Sequence, residues 1–233
     1  MSNQRPGFGS PSDNNPKTFM SISANGWTIK ASKQGEIFPA TGQAATAREI
    51  EDKTTKAKRT VYEWVFPDFT ANIESIIARK NENLGGAWQY VITMDFIGSK
   101  YVLNIPLESS YGDSFAARIP NIKHGVLTTL RPYNFDHKTE RKKNGDPKKM
   151  IGVSVIQEEV KIESAFSREN PGNRPQMTEN MTEVDLKIYN IKLREFYKSV
   201  ANSWGPKTNE VSNVEDHAET AEGQDVDDDG LPF

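Results

Sequence analysis

The chain has no cysteine among its 233 residues. Structural disulfides, cysteine-ligated zinc and cysteine nucleophiles are therefore excluded. It has three histidines, His124, His137 and His217. None sits in an HExxH pattern or at a paired His–carboxylate spacing, and no GxSxG elbow occurs. "GSPSDNNPK" lacks the G-K-[ST] ending and the preceding strand of a phosphate-binding loop. Glu158 and Glu159 are expected to alternate across a strand and point to opposite faces, which makes no site. A binding protein is therefore expected rather than an enzyme, with no cofactor and no metal. No apolar run nears 18 residues, so no membrane partner is expected. The opening "MSNQRPGFGSPSDNNPK" has no apolar core of a signal peptide, which points to the cytoplasm. Mean hydropathy is −0.69, low for a chain that folds throughout.

What is present is unevenly charged. From Glu210 to Phe233 there are nine acids and no Lys or Arg. The 209 residues before this stretch hold all 29 Lys and Arg and the other 23 acids, a net of +6. A basic body with an acidic tail points to nucleic acid for the body, and the tail can compete for the same surface.

Residues 1–16 read as a disordered leader of Gly, Pro, Ser and Asn. "TFMSISANGWTIKAS" predicts a hairpin turning at Asn25-Gly26. Residues 33–57 predict a loop with a short helix near "ATAREIEDK". "RTVYEWVF" is a strong strand signal. "TANIESIIARKNE" fits either a helix, through Ile73, Ile76 and Ile77, or a strand. "AWQYVITMDFIG" and "KYVLNIPLES" predict a hairpin about Gly98-Ser99. In "YGDSFAARIPNI" a short helix is expected, capped by Asp113 or Ser114 and ended by Pro120. "GVLTTLRPYNF" and "MIGVSVIQEEVKIES" predict strands on either side of the basic loop "DHKTERKKNGDPKK". Trp88, Tyr90, Ile92, Met94 and Phe96 share one face and are assigned to the core. "TEVDLKIYNIKLREFYKSVANSW" predicts the one long helix, with Thr182 and Asp185 as a capping box. Its wide apolar stripe packs on the body or pairs with a second copy in a homodimer.

These elements give a mainly β fold. Many short strands with one helix before the last two suit an OB-fold, a five-stranded Greek-key barrel, here with elaborations, a long C-terminal helix and a disordered acidic tail. The expected divisions are the leader (1–16), an OB-fold domain (17–166), a linker and helix (167–204) and the tail (205–233).

Two clusters mix rings with cations. Tyr62, Trp64 and Phe66 share one strand face, with Val61 and Val65 on the other. If the valines face inward, the three rings form an outward platform for single-stranded bases, beside Lys58 and Arg59. The alternative buries the rings in the core. Arg131, Tyr133 and Phe135 also share a parity and lead into a loop with Lys142 and Lys143. There cations would hold phosphates by counterion release and rings would favour unpaired bases. Trp27 with Lys30 is a third candidate.

The ending "DVDDDGLPF" resembles the C-terminal tip of bacterial single-stranded DNA-binding proteins, in which an acidic run precedes an apolar residue, Pro and Phe. Here Gly230 intervenes between the run and Leu231. "LRPYNF…MIGVSVIQEEVKI" resembles the final strands of the phage-encoded OB-fold members of that family. The resemblance implies a phage protein in a bacterial cytoplasm that coats single-stranded DNA during replication, recombination or repair. It implies that Pro232 and Phe233, with Leu231 before them, dock on a polymerase, helicase or primase. Asp227, Asp228 and Asp229 would supply the electrostatic lead. Two other functions fit the same sequence: a strand-annealing recombination protein, and a β-rich adaptor that binds no nucleic acid.

Overall fold

The computed structural model describes residues 17–51, 55–82, 85–142, 144–167 and 170–205. The tail residues Asp227, Asp228, Asp229, Leu231, Pro232 and Phe233, the leader and Lys143 lie outside them.

Among the described residues, ten strands form one mixed sheet. In chain order they are β1 (Thr18–Ser23), β2 (Gly26–Ala31), β3 (Thr46–Glu51), β4 (Lys58–Phe66), β5 (Phe69–Asn81), β6 (Ala87–Phe96), β7 (Ser99–Pro106), β8 (Leu127–Arg141), β9 (Pro147–Gln157) and β10 (Val160–Lys161). Helix α1 (Ser110–Ala116) and a 3-10 turn (Ile119–Asn121) join β7 to β8, and α2 (Glu183–Asn202) follows the sheet. The order across the sheet is β10-β9-β8-β5-β6-β7-β1-β2-β4-β3. Among these described strands only the β1–β7 pair is parallel.

The fold is mainly β with a C-terminal helix, as expected. It is not a closed five-stranded barrel: no ladder joins the sheet's two edge strands. The sheet nevertheless curls. The Trp27 indole N–H on β2 donates to the Leu130 carbonyl on β8 at 2.9 Å, across four intervening strands. Sheet twist has a fixed hand, so a sheet this wide curls around its own apolar face. That face carries Met20, Trp27, Ile92, Met94, Leu103 and Leu130, all fully buried.

Several local expectations change for physical reasons. "ATAREIEDK" contributes strand β3, because its backbone pairs with β4 from Thr46↔Glu63 to Glu51↔Lys58. The helical spacing in "TANIESIIARKNE" comes from a strand with a bulge. The register slips between Ile73 and Ser75, so Ile73 and Ile76, three apart, both reach the core. The β6–β7 hairpin turns at Ile97-Gly98, one residue earlier than expected, with φ of 51° and 76°. Glu158 and Glu159 lie in no strand; both have positive φ and form the turn between β9 and β10. Helix α1 is capped by Ser109, whose hydroxyl accepts from the Gly112 N–H at 3.1 Å.

One end of the curled sheet is closed by helices. Phe115, Ala116 and Ile119 are buried there with Tyr197, Val200 and Ala201 of α2. The Tyr90 hydroxyl donates to the Tyr197 carbonyl at 3.4 Å, and the Trp204 indole to the Ile122 carbonyl at 3.2 Å. Burial pushes the Tyr90 and Tyr197 hydroxyls far above the usual tyrosine range. The second half of α2 thus belongs to the same core as the strands. Its first half does not: Val184, Ile188 and Ile191 are exposed.

Candidate nucleic-acid interface

The segment expected to be a basic loop is mostly strand. β8 runs on to Arg141 and pairs with β9 from Thr128↔Gln157 out to Asp136↔Lys149, and again at Arg141↔Pro147. β5 accompanies β8 only over Leu127–Leu130. Beyond Leu130 the two strands form a ribbon. From Arg131 to Arg141, at about 3.3 Å per residue, it is roughly 30 Å long. Residues 131–149 carry seven Lys and Arg against three acids.

Strand alternation puts Arg131, Tyr133 and Phe135 on one face, with Ser154, Gly152 and Met150 opposite them in register. The Tyr133 and Phe135 rings lie 5.7 Å apart at 37°. Phe135 is 54% exposed, and Met150 beside it is 37% exposed. Gly152 leaves room for the Tyr133 side chain. A Cβ there would stand 2.4 Å from the tyrosine oxygen and 2.4 Å from Ser114 Oγ. That serine in turn binds the β9 backbone, accepting from the Val153 N–H at 3.1 Å.

The ribbon's charges differ in availability. Arg131 Nε and Nη2 donate to Asp68 Oδ2 at 3.0 and 2.7 Å. Lys149 pairs with Asp136 at 2.6 Å and Lys148 with Glu140 at 2.7 Å. The Lys148 ammonium, with a smaller contribution from His137, holds the Glu140 carboxyl below the usual range. Lys138, Arg141 and Lys142 have no acidic partner among the described residues. They are the cations free to meet a phosphate backbone.

The other candidates split differently. Trp27 is fully buried and Trp64 nearly so. Each spends its indole N–H on a backbone carbonyl, Trp64 on that of Glu36 at 2.8 Å. Neither ring offers a face to a base, which corrects the expectation for both. Phe66 is half-buried against Phe38, with centroids 5.2 Å apart. The rings of "VYEWVF" face inward because Ile29 and Trp27 lie opposite Trp64 and Phe66 on the same face. Only Tyr62, half-buried, reaches a surface groove of about 410 Å³ with Lys30, Arg59 and Arg48. Arg48 is already committed: Nε and Nη2 donate to the buried Glu63 carboxylate, and that bond raises the guanidinium pKa. Lys30, Lys58 and Arg59 are exposed.

The ribbon therefore gathers Arg131, Tyr133, Phe135 and Lys142 into one element, while the β2–β4 cluster keeps its cations outside and both of its tryptophans inside. Sequence reasoning missed Met150, Gly152 and Asp68. Met150 and Gly152 follow from hairpin register once the pairing is known; Asp68 carries no local signal.

Compared with protein-family models, curated proteins and solved structures, the chain matches none.

Proposed function

We propose that this chain binds single-stranded DNA with little sequence preference, along the β8–β9 ribbon. The observation that carries the reading is the row of exposed Phe135 and Met150 with half-buried Tyr133, set between Arg131 and Lys138, Arg141 and Lys142, which have no acidic partner among the described residues. Rings take unpaired bases on their faces whatever the base, and cations take the phosphates. The connectivity supports it. We read β5-β6-β7-α1-β8-β9, with β8 beside β5, as an OB-type barrel opened between β7 and β9. Strand β1 takes the edge of β7 that closure would use. On this reading the protein coats single strands and performs no chemistry on them. The acidic stretch with Leu231, Pro232 and Phe233 recruits replication, recombination or repair proteins.

The test is anisotropy of a labelled oligo-dT. Tryptophan fluorescence is a poor reporter here, because none of the four tryptophans lies on the ribbon. Each lost stack is worth about 1–3 kcal/mol, so Phe135→Ala and Tyr133→Ala are each expected to weaken binding roughly 5- to 150-fold. Lys142→Ala is expected to lower the log–log salt slope by about 0.7. An oligo-dT that is not retained at low salt would sink the reading. It would leave the adaptor function, for which the exposed Val184, Ile188 and Ile191 of α2 offer a surface.

A further inference from the structure

We infer that the open end of the curled sheet holds a pocket for one unstacked base of the bound strand. The inference rests on the single-stranded DNA reading and adds a separate subsite to it. The helices close the end of β6 and β7 where Tyr90 pairs with Ile105. At the opposite end, Phe96 and Tyr101 line a cavity of about 210 Å³. Its other walls include Phe38, Phe66 and Phe69. Phe69 lies 4.7 Å from Tyr101 and 6.3 Å from Phe96, centroid to centroid. Sites for drug-sized ligands run to about 300–1,000 Å³, so this cavity suits a single flat ring system.

Three features favour a base over another apolar guest. First, Asp68 lines the cavity, and both of its bonds to Arg131 fall on Oδ2. Oδ1 is left to accept from a base N–H or amino group, and Arg131 neutralises the carboxylate that would otherwise repel a polyanion. Second, the same ion pair joins the cavity to the ribbon: Arg131 starts the row that continues through Tyr133 and Phe135. Third, Ile97, next to Phe96, stands 87% exposed in the left-handed region, at φ 51°. A β-branched residue is strained there, and a two-residue hairpin turn is better served by Asn or Gly. An exposed apolar side chain one residue from a cavity wall can act as a wedge of the kind that parts neighbouring bases. It holds the selected base out of the stack and turns it toward the rings.

Methyl NMR of the full chain titrated with oligo-dT separates the subsite from the ribbon. Met20 and Ile29 line the cavity, and Met150 reports on the ribbon. All three methyl signals are expected to shift. Thr41→Phe fills the mouth from an exposed position, and Ile97→Asn removes the wedge. Each variant is expected to bind about 5-fold or more weakly, the loss of one stacked base. In each, Met20 and Ile29 should stay still while Met150 still moves. If the oligo moves Met150 alone in the wild type and both variants bind as tightly, the pocket is wrong and the ribbon reading stands. If no methyl moves, both fall. If Met20 and Ile29 respond only to an apolar peptide, the pocket belongs to a protein partner.

Discussion

Single residues decide which rings are available to a ligand. Gly152→Ala would drive a methyl into Tyr133 and Ser114. Overpacking of this kind costs about 1–3 kcal/mol, and the tyrosine must swing off the ribbon. Oligo-dT affinity is therefore expected to fall along with the midpoint of a urea melt; a melt that shifts with affinity unchanged would remove Tyr133 from the interface. Ile97→Asn should act oppositely on stability. A strained left-handed residue stores about 1–3 kcal/mol, so the variant is expected to melt higher while binding DNA more weakly. Trp64→Ala should lower stability by about 3–5 kcal/mol, as the loss of a buried ring does elsewhere. The alternation of Tyr62, Trp64 and Phe66 was readable in the sequence. Its inward direction was not, because a period of two is symmetric until a neighbour is known. The neighbour is β2, whose Trp27 and Ile29 share that face.

At the scale of elements, what was legible depended on how local the determinant is. The α2 cap is local and stands as read: Thr182 Oγ1 accepts from the Asp185 N–H at 3.2 Å, and the Thr182 N–H donates to Asp185 Oδ2 at 2.9 Å. β5 and β3 depend on partners distant in sequence, so a bulge imitated a helix and an edge strand passed for a loop. The ribbon was half legible. Its rings and cations were visible, but the pairing that continues β8 to Arg141 is a property of two strands. The cap also carries a pH dependence. Hydrogen bonds from Thr182 hold the Asp185 carboxyl below its usual value. A depressed folded pKa gives stability that is present above the unfolded value, about 3.9, and is lost as pH falls through the lower folded one. The gap in melting temperature between wild type and Asp185→Ala is therefore expected to be full at pH 7 and to shrink as pH falls through the acid range below the unfolded value. A gap that persists at acid would mean the carboxylate is not what caps the helix.

Across the whole molecule, the decisive quantity is the opposition between a basic body and an acidic stretch. Residues 210–233 carry nine of the 32 acids, so removing them changes the net charge from −3 to +6. Oligo-dT and the acidic stretch are both polyanions, and both are attracted to Lys138, Arg141 and Lys142. On the single-stranded DNA reading, a tethered competitor would act at high effective concentration and weaken DNA binding without any change in the ribbon. Deleting residues 210–233 is therefore expected to tighten oligo-dT binding at low salt. The advantage should shrink as salt rises, because the screening length falls from about 30 Å at 0.01 M to about 3 Å at 1 M. Phe135→Ala in the truncated chain should still lose its full stacking increment, since rings and cations act on different parts of the strand. Equal affinity for the full and truncated chains at every salt concentration would mean that the acidic stretch never meets the ribbon. Its only remaining role would then be with other proteins.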